Sequence, residues 1–244
     1  MEQLRNREEE NYSVPKPSKL DQFYTKPSIV EHVLTMVDCE RYNLVVEPSA
    51  GAGDFFDRLP SSKRVGIDLS PANAGIQKGD FLDFVPETTE NVLTVGNPPF
   101  GKNSSLAVKF FNHAAQFSDC IAFIVPRTFR KPSVINRLHT NFHLVEQEIL
   151  PLDSFYTPSG ESYMVPTVFQ VWEKRKETRE VMEILTTHSD FEFLGTDAYS
   201  FSDVDVTLTY SSGYYEQPEK QVYKMSKTDL AEIKELRKKY PKLF

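Results

Sequence analysis

Short apolar runs, each closed by polar or turn-forming residues, recur along the first half of this 244-residue chain. They lie at 43–47, 64–68, 91–96 and 120–125, with a helical pattern at 106–115 between the last two. Near-continuous apolar strands that alternate with helices are typical of a sheet whose two faces are both covered. The pattern therefore predicts an α/β fold with a mostly parallel, twisted sheet and helices on both faces. Such folds bind ligands at the carboxyl ends of their strands, where the polar motifs of this chain fall.

Three further segments fit around these strands. Apolar residues within 29–37 share one helical face behind Pro27 and Ser28, which predicts a helix that begins there. Segments 143–150 and 166–172 have the composition of strands and are joined by a loop rich in proline, serine and glycine. They predict an antiparallel pair that closes the sheet.

The domain boundaries follow from changes in composition. Residues 1–18 are charged and punctuated by proline, which predicts a flexible leader. Residues 19–175 contain the predicted sheet and form the main domain. Residues 176–244 mix aromatic and acidic residues before a basic helix at 226–240, so we expect a small C-terminal extension that ends in this helix.

Composition excludes several classes of protein. No apolar run is long enough to span a bilayer, so we expect an intracellular protein of the cytoplasm, or of the nucleus. Cys39 and Cys120 form no Cys-x-x-Cys pair and the five histidines are scattered, so we expect reduced thiols and no metal site. The net charge of −7 argues against a sequence-independent nucleic-acid coat, although a local basic patch can still steer a charged ligand.

A glycine-containing loop at 47–55 follows the first apolar run directly. Gly51 and Gly53 let the backbone turn sharply and approach a ligand closely, because neither carries a Cβ. The dinucleotide fingerprint Gly-x-Gly-x-x-Gly fails, because Phe56 stands at the position of its third glycine. A tight strand-to-helix turn explains a lone Gly-x-Gly equally well, so the loop alone leaves both interpretations open.

Acidic positions after the next strands extend this candidate ligand site. Asp68 ends the second run, where a carboxylate can accept hydrogen bonds from the ribose hydroxyls of a nucleoside cofactor. The alternative for Asp68 is an N-cap of a helix before Pro71. Asp80 and Phe81 offer a carboxylate and a ring that could flank an adenine, and the alternative for them is a plain surface turn.

The tetrapeptide Asn97-Pro98-Pro99-Phe100 follows the third run and carries the most specific chemistry. Two prolines fix the backbone and remove two N–H donors, so carbonyl acceptors remain. The Asn97 side chain and the Pro98 carbonyl can accept both N–H bonds of a planar amine while Phe100 stacks on its ring. Such acceptors free a delocalised nitrogen lone pair for attack on a sulfonium methyl group. The alternative is a Pro-Pro turn with an incidental aromatic residue.

In order and approximate spacing, these motifs resemble those of class I S-adenosylmethionine-dependent amino-methyltransferases over about residues 20–175. Upstream, Asp-Gln-Phe-Tyr-Thr-Lys-Pro at 21–27 is similar to a segment of adenine-N6 DNA methyltransferases whose cofactor loop precedes the catalytic motif. In those enzymes the segment lies over the methionine end of the cofactor. The resemblance implies a Rossmann-like class I fold, S-adenosyl-L-methionine as cofactor, and N6 of adenine as methyl acceptor.

The resemblance also implies a role for each motif. Thr25, with the backbone of Gly51 and Gly53, would hold the methionyl carboxylate and amine. Asp68 would hold the ribose, and Asp80 with Phe81 the adenine. The complete implied cofactor set is Phe23, Tyr24, Thr25, Glu47, Pro48, Ser49, Gly51, Gly53, Phe55, Asp68, Asp80 and Phe81. The implied catalytic residues are Asn97, Pro98, Pro99 and Phe100.

Five residues are candidates for substrate binding. In these enzymes a further aromatic residue often sandwiches the target base, and Phe155 or Tyr156 is the candidate; both also suit a hydrophobic core. Lys102, Arg127 and Arg130 follow the third and fourth strands, on the sheet edge of the tetrapeptide, where phosphate contacts would help. Taken singly, each cation is equally typical of a solvated surface.

The leading hypothesis is an adenine-N6 methyltransferase that acts on nucleic acid, with DNA slightly preferred to RNA because of the upstream segment. A protein glutamine N5-methyltransferase of the release-factor type is the alternative enzyme. That family usually carries tyrosine where this chain has Phe100, and an N-terminal helical domain. A cofactor-binding scaffold subunit is the non-enzymatic alternative. We expect target choice to rest on loops, on a partner subunit or on a structured RNA, because 176–244 is a short region for a target-recognition domain.

Overall fold

The computed structural model describes residues 23–157 and 159–184, together with the backbone of two strands at 191–194 and 222–225. The predicted leader at 1–18 and the predicted final helix at 226–240 lie outside the described residues, as do Asp21 and Gln22. The chain divides into two compact units after Met182. In the second unit, the described strands pair in antiparallel fashion, with Phe191 opposite Met225.

The described elements alternate short strands with short helices. The strands are β1 Tyr24–Thr25, β2 Leu44–Glu47, β3 Arg64–Asp68, β4 Gln77–Lys78, β5 Val92–Gly96, β6 Cys120–Pro126, β7 Phe142–Ile149, β8 Phe155–Tyr156, β9 Ser162–Tyr163, β10 Thr167–Lys174, β11 Phe191–Leu194 and β12 Val222–Met225. The α-helices are α1 Pro27–Leu34, α2 Ser105–Ala114 and α3 Pro132–Ile135. Short 3-10 helices span Cys39–Arg41, Phe56–Arg58, Phe81–Asp83, Lys102–Ser104 and Arg127–Arg130.

Seven strands form one sheet in the order β4-β3-β2-β5-β6-β10-β7. Neighbours from β4 to β6 are parallel, whereas β10 is antiparallel to both β6 and β7. The α/β prediction with an antiparallel closing pair is thus confirmed, and β10 lies between β6 and β7. Chain order reverses between β2 and β5, and in doubly wound sheets this switch point is where ligands bind.

Alternation along the strands divides the core between the two faces of the sheet. The odd-numbered apolar residues of β5 lie on the face of the sheet that α1 covers. Ile121, Phe123 and Val125 of β6 lie on the other face, which α2 and α3 cover. Both faces are therefore covered, as near-continuous apolar strands require. Within the described residues, no helix is long and apolar enough to cross a bilayer.

A small three-stranded sheet, β1-β8-β9, fastens the N-terminal segment to the main domain. Thr25 lies opposite Phe155 in its antiparallel register, and the Lys26 N–H donates to the Ser154 carbonyl at 2.9 Å. The rings of Phe23 and Tyr163 stack with their centroids 3.8 Å apart. This sheet holds β1 in place, and the position of β1 decides what the Thr25 side chain can reach.

Candidate active site

Two loops meet at the switch point, one after β2 and one after β5. The Ser49 hydroxyl donates to the main-chain carbonyl of Asn97 at 2.8 Å, which ties the glycine loop to the tetrapeptide. Gly96, the last residue of β5, lies so close to the end of β2 that a Cβ there would be 3.2 Å from Cγ of Glu47. The two motifs that the sequence singled out are therefore neighbours in space.

The glycine loop adopts backbone conformations that require glycine. Gly51 has φ of +48° and Gly53 has φ of +100°, and a Cβ on Gly51 would lie 3.1 Å from the Tyr24 ring. Their N–H groups already donate, Gly51 to Asp68 Oδ2 at 2.8 Å and Gly53 to the Ala50 carbonyl at 2.7 Å. The loop runs into a short 3-10 helix rather than an α-helix. The Tyr24 ring therefore packs closely on the backbone of Gly51.

Asp68 joins the glycine loop to the turn after β3. One carboxylate oxygen accepts from the Gly51 N–H, and the other accepts from the Ser70 N–H at 2.7 Å. No helix begins in the described segment between Asp68 and β4, so the N-cap alternative is wrong and the second contact belongs to a local turn. Leu69, next in sequence, is 56% exposed and presents apolar surface at this strand end. Leu69 is not among the residues that the sequence motifs predict at this site.

Glu47 is a buried carboxyl group at the end of β2, only 2% exposed. Burial raises its pKa well above the ordinary value, and Asp54 and Asp68 raise it further. A hydrogen bond from the Phe56 N–H opposes this shift. The Oε2 atom is buried without a hydrogen-bond partner among the described residues. A buried carboxyl oxygen without a partner is costly, and a bound cationic group would relieve that cost.

Replacing Glu47 by glutamine should remove the pH dependence of stability that this carboxyl group imposes. Its folded-state pKa is raised, so the folded protein binds the proton more tightly than the unfolded chain does. We therefore expect the melting temperature of the wild type to fall relative to Glu47→Gln as pH rises above 4.5, the ordinary pKa, and through the raised pKa. Each kcal/mol corresponds to about 2–4 °C for a domain of this size.

The measurement is thermal unfolding of both proteins without cofactor from pH 4 to pH 9, with exposed Glu87→Gln as the control. If the difference in melting temperature between wild type and Glu47→Gln stays constant across this range, the carboxyl group does not have the raised pKa assigned to it. A difference that grows with pH, and that Glu87→Gln does not reproduce, supports it.

Asn97 is held by its neighbours, yet its side-chain oxygen has no partner. Its Nδ2 donates to Thr25 Oγ1 at 3.2 Å, while Oδ1 is buried without a hydrogen-bond partner among the described residues. Pro98 is buried and Pro99 is half-buried. The half-buried Phe100 packs on the core of the α1 face, and its carbonyl accepts from the Leu106 N–H at 3.1 Å. The end of the tetrapeptide is thus hydrogen-bonded to the first turn of α2.

Several aromatic residues predicted to touch ligands lie in the core instead. Phe81 and Phe155 are each 1% exposed, and Phe55 is 2% exposed. Phe81 packs against Phe84, Phe110, His113 and Phe117. Their rings therefore present no face to a cofactor or base in this structure, because the apolar surface around them is already occupied. Asp80 is exposed, and its Oδ1 accepts from the Leu82 N–H at 2.9 Å.

Tyr156 lies beside the glycine loop. Its hydroxyl donates to Asp54 Oδ2 at 2.9 Å, and its ring centroid lies 5.5 Å from that of Tyr24. Burial and the contact with Asp54 raise the pKa of Tyr156 to about 12, so the phenol stays protonated at neutral pH. The residue predicted to sandwich a base thus borders the glycine loop. Sequence spacing carries no signal for this contact, because 102 positions separate its partners.

The candidate phosphate-binding cations are exposed at the carboxyl edge of the sheet. Lys102 begins the 3-10 helix after the tetrapeptide, and Arg127 and Arg130 bound the one after β6. A hydrogen bond of 2.7 Å between the hydroxyls of Ser104 and Thr128 joins these two helices. The structure therefore presents all three cations on adjoining loops. Among the described residues, no cluster of histidine, cysteine, aspartate or glutamate is arranged to hold a metal ion.

No protein-family model matches this chain, and no curated protein matches it. Solved structures do match. A Pyrococcus horikoshii protein assigned as an RNA methyltransferase is 16% identical, with 66% of this chain and 92% of that chain covered and a TM-score of 0.50. A protein from Listeria monocytogenes assigned as a class I S-adenosylmethionine-dependent methyltransferase is 12% identical, with 65% and 62% covered and a TM-score of 0.47.

A modification subunit assigned to a type I restriction enzyme of Vibrio vulnificus is 15% identical, with a TM-score of 0.49. The match covers 89% of this chain and 53% of that subunit, so the chain spans about half of its length. The Pyrococcus horikoshii protein shares the fold of this chain, whose doubly wound parallel sheet contains one antiparallel strand, β10. The chain has the Rossmann-like fold of class I methyltransferases.

Proposed function

We propose that this chain transfers a methyl group from S-adenosyl-L-methionine to the N6 amine of adenine in nucleic acid. One observation carries the proposal: the buried Oδ1 of Asn97, at the switch point beside the glycine loop, has no hydrogen-bond partner in the part of the chain that the structure describes. An amide oxygen in that state is an acceptor that lacks a donor. An exocyclic amine supplies N–H donors of the required kind.

The residues around the glycine loop fit this cofactor. Gly51 and Gly53 present bare backbone to a ligand. The Oε2 atom of Glu47, which has no hydrogen-bond partner among the described residues, suits a cationic ammonium group. Asp68 stands at the next strand end, and the exposed Leu69 offers apolar contact for a nucleoside. The acidic surroundings suit a cofactor that carries both an ammonium and a sulfonium charge. When bound, the cofactor supplies an electrophilic methyl group.

The tetrapeptide prepares the amine for attack. Asn97 Oδ1 and the Pro98 carbonyl accept its two N–H bonds, which draws them out of the plane of the base. The nitrogen lone pair would then delocalise less fully into the ring and could form the new N–C bond while the methyl–sulfur bond breaks. S-adenosyl-L-homocysteine would be the leaving group, and the methylated nitrogen would lose one proton to water. Phe100 keeps part of its ring exposed for stacking on the base. A target in a duplex must first leave its stack, which costs a few kcal/mol.

Tritiated-methyl transfer tests this function. Wild type and Asn97→Ala are incubated with labelled cofactor and, separately, with double-stranded DNA, total RNA and purified release factor. Digestion of the labelled product to nucleosides then identifies N6-methyladenine by chromatography. Label in nucleic acid that depends on Asn97 is the expected result, with DNA tested first. Label on release factor alone would overturn the proposal, and cofactor binding without any transfer would favour a scaffold.

Removing two of the exposed cations should weaken nucleic-acid binding in a salt-dependent way. For Arg127→Gln combined with Arg130→Gln, we expect the negative slope of log affinity against log salt concentration to become shallower by about 1.4–1.8. This is the contribution of two phosphate contacts, each of which releases one counterion. Arg175→Gln combined with Lys176→Gln is the matched control, because these residues follow β10 at the opposite edge of the sheet. Titration of a labelled oligonucleotide at several salt concentrations measures the slope. An equal change of slope in both double variants would mean that Arg127 and Arg130 make no specific contact with phosphates.

A further inference from the structure

We propose that Thr25 is a positioning residue for Asn97: its hydroxyl accepts from Asn97 Nδ2 and so restrains the amide while Oδ1 accepts from the reacting amine. This inference rests on the proposed function, since it concerns the same amine. The resemblance implied that Thr25 holds the methionyl carboxylate of the cofactor. In the structure its hydroxyl instead contacts the tetrapeptide, with Asn97 Nδ2 and Thr25 Oγ1 3.2 Å apart.

Thr25 is placed firmly enough to act on another side chain. It is 3% exposed, and its backbone pairs with Phe155 in the three-stranded sheet. The next residue is held too, because the Lys26 N–H donates to the Ser154 carbonyl and the Lys26 ammonium contacts Asp153 at 2.9 Å. The hydroxyl therefore approaches Asn97 from a fixed strand, so it can impose a preferred geometry on the amide.

The orientation of the Asn97 amide has chemical consequences. A primary amide has an acceptor end and a donor end, and a half-turn of the group exchanges them. With the observed contact, the donor end faces Thr25 and the unpartnered Oδ1 faces away. A reversed amide would direct N–H groups at the substrate amine, and two sets of donors would oppose one another. With an amine bound, the observed orientation is the one that pairs each donor with an acceptor.

The main-chain side of Asn97 is fixed as well. Its carbonyl accepts from the Ser49 hydroxyl, so the residue is anchored at its backbone by the glycine loop and at its side chain by β1. Removing the Thr25 hydroxyl therefore frees the amide without freeing the backbone. Such a change should lower the rate of methyl transfer at saturating cofactor and substrate, whereas cofactor affinity should change little.

Thr25→Val and Thr25→Ser separate this role from cofactor binding. Valine keeps the shape of threonine and loses the hydroxyl; serine keeps the hydroxyl. For Thr25→Val we expect kcat to fall about 10-fold to 100-fold, as for loss of a hydrogen bond to an aligned group. Calorimetry should give a cofactor Kd within about threefold of wild type, and Thr25→Ser should restore most of kcat. A higher cofactor Kd with unchanged kcat would overturn the proposal, because Thr25 would then be a cofactor ligand.

A second readout does not need catalysis. The side-chain amide resonances of Asn97, assigned by their loss in Asn97→Ala, should shift and exchange faster with water in Thr25→Val. Those of Asn43, whose Nδ2 donates to the Glu90 carbonyl at 3.2 Å, should stay unchanged. Unchanged Asn97 resonances would overturn the positioning role. If the wild type methylates no substrate, the proposed function fails, and these resonances still decide whether Thr25 orients Asn97.

Discussion

Asn97→Ala should lose methyl transfer by about 10²-fold to 10³-fold in kcat, the usual effect of removing one preorganised polar group from a reacting centre. The reason is geometric, since Oδ1 is a buried acceptor at the switch point for which the described residues supply no donor. Cofactor affinity should stay within about threefold, because the glycine loop and Asp68 keep their mutual hydrogen bond.

The matched control for this prediction is Asn43→Ala. Asn43 precedes β2, the neighbour of β5, at the opposite edge of the sheet, and it is exposed. Steady-state methyl transfer at saturating cofactor, with calorimetric cofactor binding measured in parallel, checks both variants. If Asn97→Ala retains more than about a tenth of wild-type kcat, the side chain does not act on the amine, and the tetrapeptide has only a structural role.

Gly53→Ala should damage both stability and cofactor binding. At φ of +100° an alanine is strained by about 1–3 kcal/mol. Its Cβ would lie 2.9 Å from Asn73 Nδ2 and 3.2 Å from Asp57 Oδ2. These groups hydrogen-bond to each other, so the loop must shift to admit the methyl group. We expect the melting temperature to fall by about 3–10 °C and cofactor affinity to fall at least about tenfold.

Gly160→Ala separates backbone strain from damage to the loop. Gly160 has φ of +85°, and a Cβ added there would meet nothing within 4 Å. Thermal unfolding and calorimetry on both variants should show some loss of stability in each, with cofactor affinity lost in Gly53→Ala alone. If both variants keep wild-type affinity, the loop around Gly53 does not form the cofactor site.

The sequence predicted those parts of the molecule that local pattern determines. Apolar runs with turn residues at their ends predicted the strands β2, β3, β5, β6, β7 and β10. The central strands β2, β5 and β6 are buried on both faces, which needs continuous apolar residues. The glycine loop and the tetrapeptide were expected to be neighbours, since carboxyl ends of parallel strands share one edge. The Ser49 contact to the Asn97 carbonyl confirms that they meet. Whether they act as the resemblance implies stays a prediction.

Long-range contacts could not be predicted in this way. Phe81 and Phe155 follow turns, just as ligand-stacking rings do, and the structure alone shows that neighbouring rings and strands enclose them. The position of β10 between β6 and β7 depends on tertiary packing rather than on the residues of β10 itself. Thr25 was expected at the cofactor because of its neighbours in sequence. Its contact with Asn97 depends on strands far apart in the chain.

The three-stranded sheet β1-β8-β9 has a consequence for synthesis on the ribosome. Lys26 and Asp153, whose side chains meet beside this sheet, are 127 positions apart. A nascent chain that has emerged only as far as α3 can already contain the glycine loop and the tetrapeptide. It still lacks the strand that holds Thr25 on Asn97, because β8 has not been made. Full assembly of the reacting centre therefore waits until most of the domain has been translated.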